Sequence, residues 1–175
     1  DEINEVYSNS RYLYGVWLNQ NIKASNNLDE VLKDAEFVIY ATPSFALRDT
    51  LKQSSKSISK DAIPVFLTKG FIEVYGQPEL ILESADKLLP DNFIGNSVYL
   101  SGPSHAEEVA REVYTGLIAA SLNKKNAVKV RDLTNIENLS VFVSFGPIGV
   151  QVSAALKNVV AIAFGLADAM REYDK

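Results

Sequence analysis

An open α/β fold built on a doubly wound parallel sheet is what this sequence predicts, followed by a long apolar helix that breaks the pattern. Three observations carry that prediction. Five short runs rich in β-branched or aromatic residues recur along the chain, most of them followed by a helical pattern. Three of the five are continuously apolar rather than alternating, as expected of strands covered on both faces. The unusual polar motifs collect at the carboxyl ends of these runs, where open parallel sheets bind ligands.

In chain order, the opening DEINEVYSNS is polar and acidic. It has neither an initiator methionine nor a signal-peptide pattern, and reads as the middle of something. A helix is expected at 28–33 and the first strand at 36–41 (EFVIYA). A helix at 46–54 leads to a strand at 64–68 (PVFLT), and a helix at 80–88 to a strand at 98–100 (VYL). A helix at 107–113 precedes a strand at 117–120 (LIAA), and a helix at 127–133 precedes a strand at 141–145 (VFVSF). Alternation of this kind indicates the doubly wound arrangement. Gly146-Pro147 then interrupts the rhythm, dividing a sheet domain at 1–146 from the start of a helical domain at 147–175.

The run 148–170 (IGVQVSAALKNVVAIAFGLADAM) is 23 residues long and Lys157 is its only cation. An ammonium in such surroundings costs free energy unless something negative or reactive meets it. Burial also lowers a lysine pKa toward the range where it exchanges protons at neutral pH. Asn158 sits beside it, and the plainer alternative is a lysine snorkelling from the rim of a core helix. A membrane span needs about 20 mostly apolar residues, but Gln151, Ser153, Lys157, Asn158 and Asp168 would place charge near the bilayer centre. A buried helix of a soluble protein, without stable membrane insertion, is the expectation.

With 175 residues, 47% hydrophobic and 22% charged, the chain can bury one full core and part of a second. A net charge of −5, with no basic run longer than Lys124-Lys125, excludes an electrostatic footprint for nucleic acid. Cysteine is absent, which removes thiolate chemistry and disulfides. The single histidine, His105, leaves no His-based triad and no multi-histidine metal site.

Three strand ends carry candidate functional residues. Thr42-Pro43-Ser44 follows the first strand and reads either as a ligand wall or as a turn with a helix cap. Thr68-Lys69-Gly70 offers a flexible cation beside a glycine that lets the backbone turn away. In Ser101–Ala106, Gly102 permits close approach of a ligand, and Ser104 with Glu107 has capping-box spacing. The helix start there would also favour anions. His105 reads as a helix-start residue without a catalytic partner.

Taken together these residues resemble the bacterial type of NAD(P)-dependent sn-glycerol-3-phosphate dehydrogenase. The matching stretches are Tyr12-Leu13-x-Gly15, ATPSFALRDTLK at 41–52, LTKG at 67–70, LSGPSHAEEVAREV at 100–113, TGLIAAS at 115–121 and the 148–170 helix. They occur in the family's order and at about its spacing. The resemblance implies a Rossmann-like doubly wound sheet lacking its first βαβ unit, followed by the first long helix of an all-α C-terminal domain. Residues 1–146 would then be a partial dinucleotide-binding domain. It implies reversible reduction of dihydroxyacetone phosphate to sn-glycerol 3-phosphate with NAD or NADP, in the cytoplasm, feeding phospholipid synthesis.

By the same resemblance Lys157 matches the proton donor and acceptor, and Lys69 a lysine that contacts both cofactor and substrate. Gly102 and Ser104 match substrate-binding positions, Ala106 a cofactor contact, and Pro43 and Ser44 the wall beside the cofactor. Lys69 would help hold down the pKa of Lys157 by like-charge repulsion. A homodimer is one option for assembly.

The chain also departs from the family. None of the nine glycines stands two residues from another, so the glycine-rich phosphate-binding turn is not encoded. The arginine that binds the substrate phosphate is missing. Tyr14 and Tyr114 replace usual prolines, and Gly146 and Gln151 replace positions that are often acidic. These 175 residues alone are therefore expected to be inactive. The rival readings are another dehydrogenase of this general plan, of hydroxyacid or 6-phosphogluconate type, and a non-catalytic truncated Rossmann module.

Overall fold

The computed structural model describes residues 2–173. Its main sheet has five strands in the order β1-β2-β5-β6-β7. They are β1 (Phe37–Tyr40), β2 (Ile63–Phe66), β5 (Val98–Ser101), β6 (Thr115–Ala120) and β7 (Leu139–Ser144), which are the five runs expected from sequence. A two-stranded hairpin, β3 (Ile72–Val74) and β4 (Gln77–Glu79), lies apart from them. The helices are α1 (Glu2–Val6), α2 (Leu28–Leu32), α3 (Ser44–Ser54), α4 (Ile81–Leu88), α5 (Ala106–Ala110), α6 (Lys124–Thr134) and α7 (Pro147–Tyr173).

Alternation along the strands divides the core in two, because successive side chains point to opposite faces. One face buries Tyr40, Phe66, Tyr99 and Ala120 against Leu47, Leu51, Ile81 and Leu82 of α3 and α4. Tyr40 and Phe66 stack there, with ring centroids 4.8 Å apart. The other face buries Val65, Val98, Leu100, Leu117 and Val141 against Val130 of α6. Helices on both faces make the sheet doubly wound and Rossmann-like. Asparagines start two of the helices. Asn27 accepts the amides of Asp29 and Glu30 in α2, and Asn123 those of Lys125 and Asn126 in α6.

The sheet differs from a wholly parallel one at a single seam. β1, β2 and β5 run parallel, β6 is antiparallel to β5, and β7 is parallel to β6. A parallel return needs a crossover long enough to bring the chain back to the starting edge. The helix between β5 and β6 has only five residues, so the chain comes back in the opposite direction. β1 is also less covered than its apolar sequence suggests, since it is an edge strand and Ile39 is 51% exposed.

The hairpin was not expected from sequence. Its strands have three residues each, too short for a periodic signal, and they turn at Tyr75-Gly76 with φ of 52° and 80°. That pair of positive angles is the two-residue turn whose twist suits a hairpin.

Helix α7 also corrects an expectation. Val150 and Ala154 pack on the sheet and Gln151 is buried, but every residue from 158 to 171 is exposed. The helix is held by its first three turns, and beyond them Val160, Ile162, Phe164 and Leu166 face outward. It is an apolar helix uncovered along most of its length, not a buried one.

Gly102 occupies a place that no other residue fits. A β-carbon there would stand 2.4 Å from the carbonyl oxygen of Gly116 and 2.9 Å from the Leu117 side chain, at the β5–β6 seam. The sequence suggested that this glycine admits a ligand, whereas its tightest neighbour is the next strand. Gly102→Ala is therefore expected to destabilise the fold by about 1–3 kcal/mol through backbone displacement. The midpoint of urea unfolding would measure it, and an unchanged midpoint would mean that the seam yields without strain.

Candidate functional site

The carboxyl ends of β2 and β5 and one face of α7 enclose a cleft of about 340 Å³. Gly149, Val150, Ser153, Ala154 and Lys157 line it from the helix side. Their spacing of one, four, five and eight residues from the first defines a single helical face. Lys69, Ser101, Gly102, Pro103 and Ile118 line it from the sheet side. Lys69 and Lys157 thus share one cleft whose lining contains no acidic residue. Neither lysine forms an ion pair among the described residues.

Lys69 reaches the cleft because the chain turns immediately after β2. Gly70 takes φ +104°, a conformation that side-chain-bearing residues rarely adopt. Just before it, the Thr68 hydroxyl donates to the Thr42 carbonyl at 2.7 Å, tying together the ends of β1 and β2. The Lys69 ammonium donates to the Gly102 carbonyl at 3.3 Å. That carbonyl also accepts the Ser104 amide at 3.0 Å, which folds the loop after β5 into a tight turn.

Lys69 is half-buried in this cleft. Burial pushes its ammonium below the ordinary lysine range, and the positive charge of Lys157 pushes it further the same way. The sequence alone points to Lys157 as the group that such repulsion would tune. Lys157 is half-buried, at the inner end of the exposed stretch of α7.

The other sequence-predicted residues do not line this cleft. Ser104 is half-buried beside Gly102, but it caps nothing. Helix α5 starts one residue later than a Ser104–Glu107 capping box requires, His105 is its N-cap residue, and no side chain accepts an amide there. The physical reason is the Gly102–Ser104 turn, which already engages the Ser104 backbone. Ala106 opens the same short helix and is exposed, as is His105. Asn158 is exposed and does not line the cleft.

Pro43 and Ser44 belong to a different surface. Pro43 is the N-cap residue of α3 without a side-chain hydrogen bond. Ser44 lines a second groove, of about 350 Å³, with Phe45, Arg48, Phe71, Ile72 and Glu73. Phe45 is 86% exposed, and an open aromatic face beside a guanidinium suits a flat ring joined to an anionic group. Sequence reasoning missed Phe45, Arg48 and Phe71, because exposure of an aromatic cannot be read from its neighbours in the chain. It also missed Gln151, whose role depends on a contact 69 residues away.

Known proteins resemble the chain over nearly its full length. The family model for the NAD-dependent glycerol-3-phosphate dehydrogenase N-terminus matches residues 1–127. The glycerol-3-phosphate dehydrogenase (NAD(P)+) of Treponema denticola is 42% identical over 179 residues, which cover 97% of this chain and 50% of that protein. Among solved structures, Plasmodium falciparum glycerol-3-phosphate dehydrogenase matches with a TM-score of 0.87 at 28% identity, over 98% of this chain and 47% of its own. The Coxiella burnetii glycerol-3-phosphate dehydrogenase matches with a TM-score of 0.84 at 26% identity, over 98% of this chain and 51% of its own. The chain spans about half the length of the curated relatives it matches.

The lowered pKa of Lys69 has a consequence for stability. Below its folded-state pKa the amine is charged in both states but disfavoured in the fold, so it opposes folding. As pH rises from the folded toward the unfolded value the unfolded chain binds more protons, and the penalty is lost. Lys69→Met should therefore stabilise the protein at pH 7, and the gain should shrink as pH approaches the ordinary lysine pKa of about 10.4. The Gly102 carbonyl keeps its Ser104 partner in the variant. Denaturant unfolding at the two pH values checks this, and a gain that grew with pH would reverse the sign.

Proposed function

The chain belongs to the NAD-dependent glycerol-3-phosphate dehydrogenase family, and from that premise we propose that the protein interconverts dihydroxyacetone phosphate and sn-glycerol 3-phosphate. The observation that carries the proposal is the cleft with two lysines and no acid in its lining. Such a site favours an anionic ligand, and also an oxygen that gains negative charge during reaction.

The nicotinamide cofactor would supply the hydride in one direction and accept it in the other. The groove of Ser44, Phe45, Arg48 and Phe71 suits its rings and phosphates, and Pro43 forms the turn at its edge. Lys69 and Ala106 complete the cofactor contacts in this reading. The work of the chain's own residues is proton transfer and charge neutralisation. Lys157 gives a proton to the substrate oxygen as the carbonyl is reduced and takes it back in oxidation. Lys69, held by the Gly102 carbonyl, neutralises charge on the substrate from the sheet side. Gly102 and Ser104 form the turn against which the substrate rests.

The division into a sheet domain at 1–146 and a helical domain from 147 belongs to the same reading. So do a cytoplasmic location and a homodimer as one form of assembly. Helix α7 is long and apolar enough to cross a membrane by length and composition. Lys157, Asn158 and Asp168 would then lie in or near the hydrocarbon region, which favours packing against protein instead.

In the full-length natural protein, Lys157→Ala should lower kcat by about 10²–10⁴-fold while cofactor affinity changes little. Steady-state kinetics with dihydroxyacetone phosphate, alongside cofactor titration, test this. Equal losses in turnover and cofactor binding would point to a packing role. Preference for 3-hydroxy acids over dihydroxyacetone phosphate would move the assignment to another dehydrogenase. Residues 1–175 by themselves should show no saturable NADH binding in calorimetry, because they encode no glycine-rich phosphate turn.

A further inference from the structure

We infer that Gln151 is a positioning residue, whose buried amide clamps α7 to the start of α4 and so sets where Lys157 stands relative to Lys69. Gln151 is 1% exposed, among the largest fully buried side chains of the molecule. Its Oε1 accepts the backbone amide of Leu82 at 2.8 Å, and its Nε2 donates to the Glu83 carboxylate at 3.4 Å. Leu82 lies in the first turn of α4, where backbone amides lack partners within the helix. The N-cap residue of α4, Leu80, supplies no side-chain acceptor. Gln151 therefore caps α4 from another helix.

This joint is the polar attachment of the α7 body to the rest of the protein among the described residues. The remaining attachment includes apolar packing of Val150 and Ala154, which is not directional in the way a hydrogen bond is. The outer part of the helix is exposed and gives no further hold. Lys157 lies six residues beyond Gln151, roughly 9 Å along the axis at about 1.5 Å per residue. A tilt of roughly 10° about Gln151 would carry the lysine roughly 1.6 Å sideways. Misplacement on that scale costs on the order of 10²-fold in rate when a group must meet a reacting atom.

In this chain, where Glu83 faces the joint, its chemistry suits an amide. It needs one acceptor for the Leu82 amide and one donor for Glu83. Methionine has neither at the right strength. Glutamate keeps the acceptor but turns a carboxylate toward Glu83, with Asp86 in the same cavity wall. Exchanging the two residues restores the polarity, since glutamate at 151 accepts from Leu82 and glutamine at 83 donates to it.

The test uses the full-length natural protein with Gln151→Met, Gln151→Glu and the double variant Gln151→Glu/Glu83→Gln. Two readouts are taken, kcat with dihydroxyacetone phosphate and the titration of the Lys69 amine by competitive labelling and mass spectrometry. Burial first and the charge of Lys157 second lower the pKa of Lys69, so in a variant that stays folded a displaced α7 should let that pKa rise. The expected result for each single variant is a rise in the Lys69 pKa and a fall in kcat of about 10²-fold. Both should recover in the double variant. A folded single variant with unchanged Lys69 titration overturns the inference. If Gln151→Met does not fold, Gln151→Glu decides by the same measure. The kinetic arm rests on the dehydrogenase reading and the titration arm does not, so an inactive natural protein would sink that reading while leaving the clamp open to its own test.

Discussion

Two ammonium groups share one cleft without a carboxylate to separate them, and the surrounding architecture is what holds them there. Like charges in a partly desolvated space repel, so the arrangement persists only if the backbone is stiff on both sides. On the sheet side, stiffness comes from the abrupt turn at Gly70 and from the Thr68–Thr42 link between strand ends. On the helix side it comes from packing at Val150 and Ala154 and from the buried amide of Gln151. The repulsion that makes the site costly is also what gives it affinity for anions.

The β5–β6 seam governs how the two sides meet. Reversal of chain direction there brings Gly116 against Gly102, close enough that a methyl group would collide with the backbone. The Gly102 carbonyl is then presented to Lys69 and to the Ser104 amide together. A wholly parallel sheet would have sent the chain away through a longer crossover at this point. The short helix α5 and the tight turn before it are parts of the same solution, and they account for the missing cap at Ser104.

How much of this could be read from the chain depends on the range of the interaction. The strands were legible at 36–41, 64–68 and 117–120 because a short continuous apolar run between turn residues suits a strand covered on both faces. Lys157 stood out by contrast with its surroundings, as one cation in an apolar helix. The hairpin at Tyr75-Gly76 was not legible, since three-residue strands carry no period. The capping-box spacing at Ser104 misleads because two motifs compete for one serine and the local turn prevails. The helix at 148–170 was expected to be buried, but a hydrophobic pattern states what a helix can pack against, not what covers it.

The sequence by itself determined the alternation of strands and helices, the break at Gly146-Pro147, and the family resemblance that the comparisons bore out. These rest on local backbone preference, apolar periodicity and ordered motifs, all of which are properties of neighbouring residues. Tertiary structure alone decided that β6 runs backward, that burial and the charge of Lys157 act on the Lys69 ammonium, and that Gln151 serves as a cap for a distant helix. Each of those depends on atoms far apart in the chain meeting within a few ångströms, where desolvation and hydrogen-bond geometry act and where no local pattern records them.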